Sequence, residues 1–221
     1  MKLLGIKNIF KEAPSRIINL CSYGSSALLP YRPMNGSKET LETEYSSGTW
    51  DYLGGTTELA RFSIVVGYCH YFKAEGTILE LGCGEGILKD RLCPLKYSRY
   101  LGVDISSEAI HRASYKQDEK SSFVREDARI YNPDQRFDVI VFNECLEYFQ
   151  DPLSLVRRYQ RFLEKKGVFI VSMFVGRDTV RSKRIWKILE AVYSAEAETR
   201  VSTKPGYSWN IKVFMPAKQT Y

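Results

Sequence analysis

Three glycines at alternate positions, Gly82, Gly84 and Gly86, follow an apolar run in the stretch ILELGCGEG at 78–86. One acid, Glu80, precedes them and another, Glu85, lies among them. Glycine spaced in this way lets a backbone approach a ligand closely, because no Cβ intervenes. The neighbours exclude two common uses. A dinucleotide loop needs G-x-G-x-x-G, but position 87 is Ile, and no Lys-Ser or Lys-Thr follows to make a phosphate-gripping loop. Acids at 80 and 85 would repel a pyrophosphate and suit a ligand bearing a cationic amine and a sulfonium. Asp104 follows roughly 20 residues on, where ribose hydroxyls are usually held. Cys83 reads as a small residue that fits beside the ligand.

A second constellation is NECLEY at 143–148. If a helix begins here, Glu144 and Glu147 are three apart and share a face, where they would hold an amine or take a proton. The alternative is a pair of helix-start acids satisfying local N–H groups. The chain has two histidines. His111 reads as a surface residue, and His70, in YCHYF, is a packed or substrate-facing residue and a candidate for catalysis. Cys145 has no histidine near it in sequence and is set aside as a nucleophile.

These residues need a sheet to hold them. Strand-like runs at 77–82, 99–105, 121–127, 137–144 and 167–174 alternate with helical runs near 86–94, 107–118, 145–149 and 152–164. Apolar strands alternating with helices predict a parallel sheet covered on both faces. A longer helix over about 178–193 precedes two strand-like runs joined by TKPGY, which reads as a hairpin. The spacing predicts a further helix over 56–73, upstream of the first strand. Residues 1–40, with their Ser, Gly, Pro and basic content, read as a basic, flexible segment or one that folds over a neighbouring site.

A ligand that fits a nucleoside pocket, lacks phosphate and carries positive charge is S-adenosylmethionine. From about 76 to 216 the chain resembles the class I S-adenosylmethionine-dependent methyltransferases, in their small-molecule branch of nodulation and ubiquinone-biosynthesis enzymes. ILELGCGEG is similar to their first motif, YLGVDIS to the strand-two motif with Asp104 as the ribose acid, and FDVIVFNECLEYFQDP to the strand-four motif. REDAR resembles the loop whose acid reaches the adenine amino group, which points to Asp127 with the Ala128 backbone. The resemblance implies an α/β, Rossmann-like seven-stranded sheet over 76–217, with five parallel strands and a C-terminal antiparallel hairpin. A helical cap at 41–75 would cover the cofactor. It implies cofactor contacts from Glu80, Gly82, Cys83, Gly84, Asp104, Ile105 and Asn143. In the cap, Arg61 would pair with the methionine carboxylate, and Tyr45 or Trp50 would shield the sulfonium; the plainer reading makes the aromatics packing anchors and Arg61 a solvated helix charge.

Ubiquinone-type relatives often read E-x-x-E-H after strand four. Here Tyr148 stands in place of that histidine, which weakens both a histidine base and a metal, so no metal is expected. The segment [DN]-P-P-[YF] is absent, which argues against methylases of adenine and glutamine amines. The implied function is methyl transfer to an amine or hydroxyl of a small biosynthetic acceptor, with S-adenosylhomocysteine as product. RNA or protein methylation, and cofactor binding without turnover, stay open.

Composition sets the outer bounds. The 221 residues carry a formal charge of +6, which permits an acidic partner but is explained by solubility. No basic cluster with interleaved aromatics appears, so nucleic acid is not expected. RDTVRSKRIWK places five basic residues between 177 and 187, read as a solvated helix face or a contact for an acidic acceptor. Five scattered cysteines without C-x-x-C fit a reducing, cytoplasmic location. The longest apolar stretch is too short to span a bilayer, and no secretory signal is expected. A homodimer is left open.

Overall fold

The computed structural model describes residues 33–92, 96–175, 180–203 and 206–216. Most of the 1–40 segment and Arg177 lie outside them.

Seven strands form one sheet: β1 (Thr77–Leu81), β2 (Arg99–Asp104), β3 (Ser121–Arg125), β4 (Phe137–Asn143), β5 (Leu163–Phe174), β6 (Ser194–Ser202) and β7 (Ser208–Met215). Their order is β3-β2-β1-β4-β5-β7-β6. The first five are parallel, and β7 runs antiparallel between β5 and β6. The expected sheet with its terminal hairpin is present. Edge strand β6 alternates exposed and half-buried residues and carries Glu196, Glu198 and Arg200.

The described helices are α1 (Lys38–Ser46), α2 (Thr56–Lys73), α3 (Ile87–Leu92), α4 (Ser107–Ser114), α5 (Pro152–Gln160) and α6 (Val180–Glu190), with one-turn helices at Asp51–Gly54 and Leu146–Tyr148. Side-chain oxygens start three of them. Ser37 accepts from Thr40 N, Ser106 from Ala109 N and Asp151 from Ser154 N, the last with Pro152 in the first turn. Helix α2 spans the predicted residues, and its buried Glu58, Arg61, Phe62, Val65 and Cys69 recur at helical spacing.

Strand alternation divides the core in two. Leu79, Leu81, Phe142, Phe169 and Val171 face one side with Leu155 of α5 and Ile185 of α6. Ile78, Val139, Val141 and Tyr100 face the other, with Phe62 and Val65 of α2. Glu80, two residues after Ile78, therefore points toward α2.

Two expectations change. Strand β5 begins at Leu163 rather than 167, because Leu163 pairs with Phe137 although Glu164, Lys165 and Lys166 are exposed. The helix expected at 145–149 is only one turn. Glu144 before it adopts φ of +59°, which ends the strand abruptly, so Glu144 and Glu147 do not share a helix face.

Candidate cofactor and acceptor site

In an open parallel sheet, ligands bind beyond the carboxyl ends of strands where the order reverses. Here that point lies between β1 and β4. The β1–α3 turn rises into it. Gly82 and Gly84 have φ of +72° and +54°. A Cβ on Gly82 would lie 2.7 Å from Cys145 Cβ, and one on Gly84 2.6 Å from Tyr45 Oη. These two positions therefore tolerate no side chain, for conformational and steric reasons alike.

Asp104 closes β2 beside this turn. Its carboxylate accepts from Gly84 N and Ser106 N, each at 2.9 Å. Burial pushes the carboxyl up, and the two N–H groups oppose that shift. Ile105 continues the loop, and its carbonyl accepts from Arg125 Nε at 3.4 Å.

A chain of buried polar groups crosses the α2 face of the sheet. Tyr100 Oη donates to Glu80, and Asn143 Nδ2 donates to the other oxygen of Glu80 at 3.2 Å. Arg61 Nη1 donates to Asn143 Oδ1. Arg61 is also paired with Glu58, from Nε at 2.9 Å and from Nη2 at 2.8 Å. Strand alternation accounts for the meeting, since β1, β2 and β4 each turn one polar residue to α2. Burial raises the Glu80 carboxyl to about 7 against the pull of Tyr100 and Asn143. Arg61 is 2% exposed, so it is not the solvated helix charge of the plainer reading, and its charge already has a carboxylate partner.

Helix α1 lies over the turn. Tyr45 is buried there, and burial and Asp104 push its phenol well above the usual range, so it stays neutral. Trp50 stands 6.3 Å from Tyr45, ring centre to ring centre. Its indole N–H is buried and makes no hydrogen bond among the described residues. Asp127, after β3, is held by Arg129, which lowers its pKa. The Ala128 carbonyl accepts from Tyr159 Oη at 2.9 Å.

On the β4–β5 side, Glu144 accepts from Ser172 Oγ at 2.8 Å and Phe174 N at 2.9 Å. Burial raises its carboxyl. Burial, with Glu144 adding like-charge repulsion, raises Glu147 to about 7, while Arg181 of α6 pulls it down. Residues 33–36 cross this corner: Met34 N donates to the Glu147 carbonyl at 2.8 Å, and Gly36 packs on the Tyr148 ring.

A family model described as a methyltransferase domain matches residues 56–208. The chain belongs to that family. Among similar proteins, the malonyl-[acyl-carrier protein] O-methyltransferase 1 of Ilyobacter polytropus is 26% identical over 140 residues, 62% of this chain and 50% of that protein. The ubiquinone biosynthesis O-methyltransferase of Pelagibacter ubique is 27% identical over 100 residues, 43% of this chain and 40% of that protein. The chain spans about half the length of the curated relatives it matches. The N-methyltransferase NodS of Bradyrhizobium japonicum, solved with S-adenosyl-L-homocysteine, has the same fold at a TM-score of 0.70. It is 19% identical, over 82% of this chain and 98% of that one.

Most of the sequence candidates in this methyltransferase-domain chain fall into three groups. Tyr45, Gly82, Cys83, Gly84 and Asp104 meet at the glycine turn, and Arg61, Glu80 and Asn143 form the polar chain behind it. Glu144, Glu147 and Tyr148 gather at the β4–β5 corner. His70 joins none of the three. It is exposed in the last turn of α2, which leads directly into the start of β1, at the end of the strands opposite the glycine turn. Burial keeps the thiols of Cys69, Cys83 and Cys145 protonated. Residues missed in the sequence are Glu58 and Tyr100. Glu58 was available as an i, i+3 partner of Arg61, and Tyr100 as the residue whose side of β2 matches Glu80.

Proposed function

We propose that this methyltransferase uses S-adenosylmethionine to methylate an amine or hydroxyl of a small-molecule acceptor. The observation that carries the reading is the acid-lined glycine turn at the switch point, roofed by Tyr45. The residues present fit the cofactor. Positions 82 and 84 exclude a Cβ, and Trp50 offers a buried indole N–H that makes no hydrogen bond among the described residues. Among the groups described at the turn, Glu80, Glu85 and Asp104 supply anionic character and no lysine grips a phosphate.

In this reading Asp104 receives the ribose hydroxyls, and the backbone of Gly82, Cys83 and Gly84 passes along the cofactor. Ile105, Asp127 and Ala128 border the adenine. Asn143 and Glu80 meet the amino-acid end, with Tyr45 and Trp50 against the sulfur. Arg61, neutralised by Glu58, acts there through Asn143. The cofactor supplies an electrophilic methyl group on a good leaving group, so the protein's task is alignment and exclusion of water.

The acceptor needs a free lone pair at the moment of transfer. Glu147, titrating near 7, is the proton acceptor for an ammonium or hydroxyl, and Glu144 and Tyr148 shape its surroundings. The similar proteins include both O- and N-methyltransferases by name, and the reading keeps both acceptor atoms. The experiment pairs calorimetry of S-adenosylhomocysteine with transfer of labelled methyl groups to panels of amines, phenols and carboxylates. Micromolar binding and labelled product are expected. Absence of binding overturns the cofactor reading; binding without label on any small acceptor, but with label on RNA or protein, overturns the acceptor class. Binding with no transfer to any panel overturns turnover and leaves a cofactor-binding subunit.

A further inference from the structure

Helices α1 and α4 are 60 residues apart in sequence yet complete each other's ends. Glu42 of α1 sits at the start of α4, where one carboxylate oxygen accepts from Ser106 Oγ at 2.7 Å and from Ser107 N at 2.9 Å. The other oxygen accepts from Ser107 Oγ. Helix α4 already has a cap of its own, because Ser106 Oγ accepts from Ala109 N at 3.1 Å. Glu42 therefore adds an anion where the helix dipole is positive.

The reverse contact comes from Arg112 of α4. Its Nη2 donates to the Tyr45 carbonyl at 2.7 Å, at the C-terminal end of α1, a helix with no basic residue in its own last turn. Its Nη1 donates to Asp51 Oδ1 at 2.8 Å and lies 3.5 Å from Glu85 Oε2 in the glycine turn. Its Nε is held by Glu108 at 2.9 Å, which fixes the fork. One guanidinium thus joins α1, the turn after it, the glycine turn and its own helix.

Both ends of this clamp adjoin the cofactor residues. Ser106 N, next to the Glu42 contact, donates to Asp104, and Arg112 grips the backbone of Tyr45, whose phenol covers Gly84. We propose that Glu42 and Arg112 are positioning residues that set Tyr45 over the glycine turn and so govern how long the cofactor stays. The proposal rests on the S-adenosylmethionine reading above. Neither side chain is required to touch the cofactor; each acts through the residue it holds.

The clamp is ionic and part-exposed, with the Arg112 side chain 28% and that of Asp51 64% accessible. Salt will weaken it. The test measures S-adenosylhomocysteine binding and dissociation, steady-state kinetics and thermal midpoints for wild type, Glu42→Gln, Arg112→Gln, Arg112→Lys and Asp51→Asn. Arg112→Gln and Glu42→Gln are expected to speed dissociation roughly tenfold, as loss of a charge-assisted contact does. They should raise KM for the donor by a similar factor and leave kcat within about twofold. Arg112→Lys, which keeps the charge but not the fork, should recover part of the affinity. Asp51→Asn, on the exposed rim, keeps the fold and should give a dissociation rate about twofold to threefold faster.

If wild type does not bind S-adenosylhomocysteine, the function reading fails, not the clamp. If wild type binds and the variants lose thermal midpoint while dissociating at the wild-type rate, the residues are merely structural and the proposal is overturned. Should Glu42→Gln and Arg112→Gln not fold, Asp51→Asn and the salt dependence of wild-type dissociation decide. Dissociation unchanged in both overturns the proposal.

Discussion

On the proposed reading the crevice has a ribose corner and an acceptor corner, and their acids are surrounded differently. At the ribose corner, Asp104 is met by two backbone N–H groups, and the surrounding turn is fixed by glycine geometry. At the acceptor corner, burial raises both Glu144 and Glu147, the Glu144 charge adds to the rise at Glu147, and Ser172 Oγ and Phe174 N donate to Glu144. A carboxylate given donors is a fixed acceptor for a ligand. One set in a buried site against a like charge is a group that exchanges a proton near neutrality. On the proposed reading that difference separates holding from chemistry within one crevice.

The sharpest way to break this contrast is Gly84→Val. A Cβ there is strained at φ of +54° and meets Tyr45 Oη, so S-adenosylhomocysteine affinity should fall more than about hundredfold, with the fold retained. Unchanged affinity by calorimetry would remove the glycine turn from the site. Glu147→Gln comes next. Wild-type turnover should rise with pH through about 7, as Glu147 loses its proton. The variant should lose that limb and about tenfold to hundredfold in kcat, with cofactor affinity intact. A pH–rate profile that keeps its limb would return the corner to a structural role.

Glu80→Gln probes the group between the two corners through stability. The folded carboxyl titrates at about 7 against an ordinary value of 4.5, so across that window the native state binds more protons than the unfolded chain. Wild-type stability should therefore fall as pH rises from 4.5 to 7, and melting at pH 5 and pH 8 should show a smaller fall in the variant. An equal fall in both would mean that Glu80 does not carry the burial cost described. The smallest effect belongs to His70→Ala, expected to leave kcat and KM within about twofold, as for an exposed side chain at the far end of the strands. A larger loss of kcat would bring α2's last turn back into the chemistry.

Legibility in the sequence followed the range of the forces involved. Central strands were readable because burial on both faces makes them continuous apolar runs, and α2 because its buried residues keep helical spacing over about three turns. The start of β5 was hidden by Glu164, Lys165 and Lys166, which pair through backbone while their side chains stay in water. The acid pair was misplaced because one residue, Glu144, turns into the left-handed region, a bend that spacing does not encode. The glycine turn was legible since its glycines are a local requirement. Its clamp was not, since Glu42 and Arg112 find their partners only after the sheet has brought distant helices together.

The edge strand β6 carries a consequence for assembly. Its Glu196, Glu198 and Arg200 stand along an irregular outer margin, and the opposite margin, β3, is five residues long and ends in an exposed arginine. Neither margin invites another chain to continue the sheet, because charge, brevity and an uneven backbone all oppose strand addition. Any second copy must then meet this molecule through helices or through the segments above the crevice, where docking would bear directly on access to the acceptor.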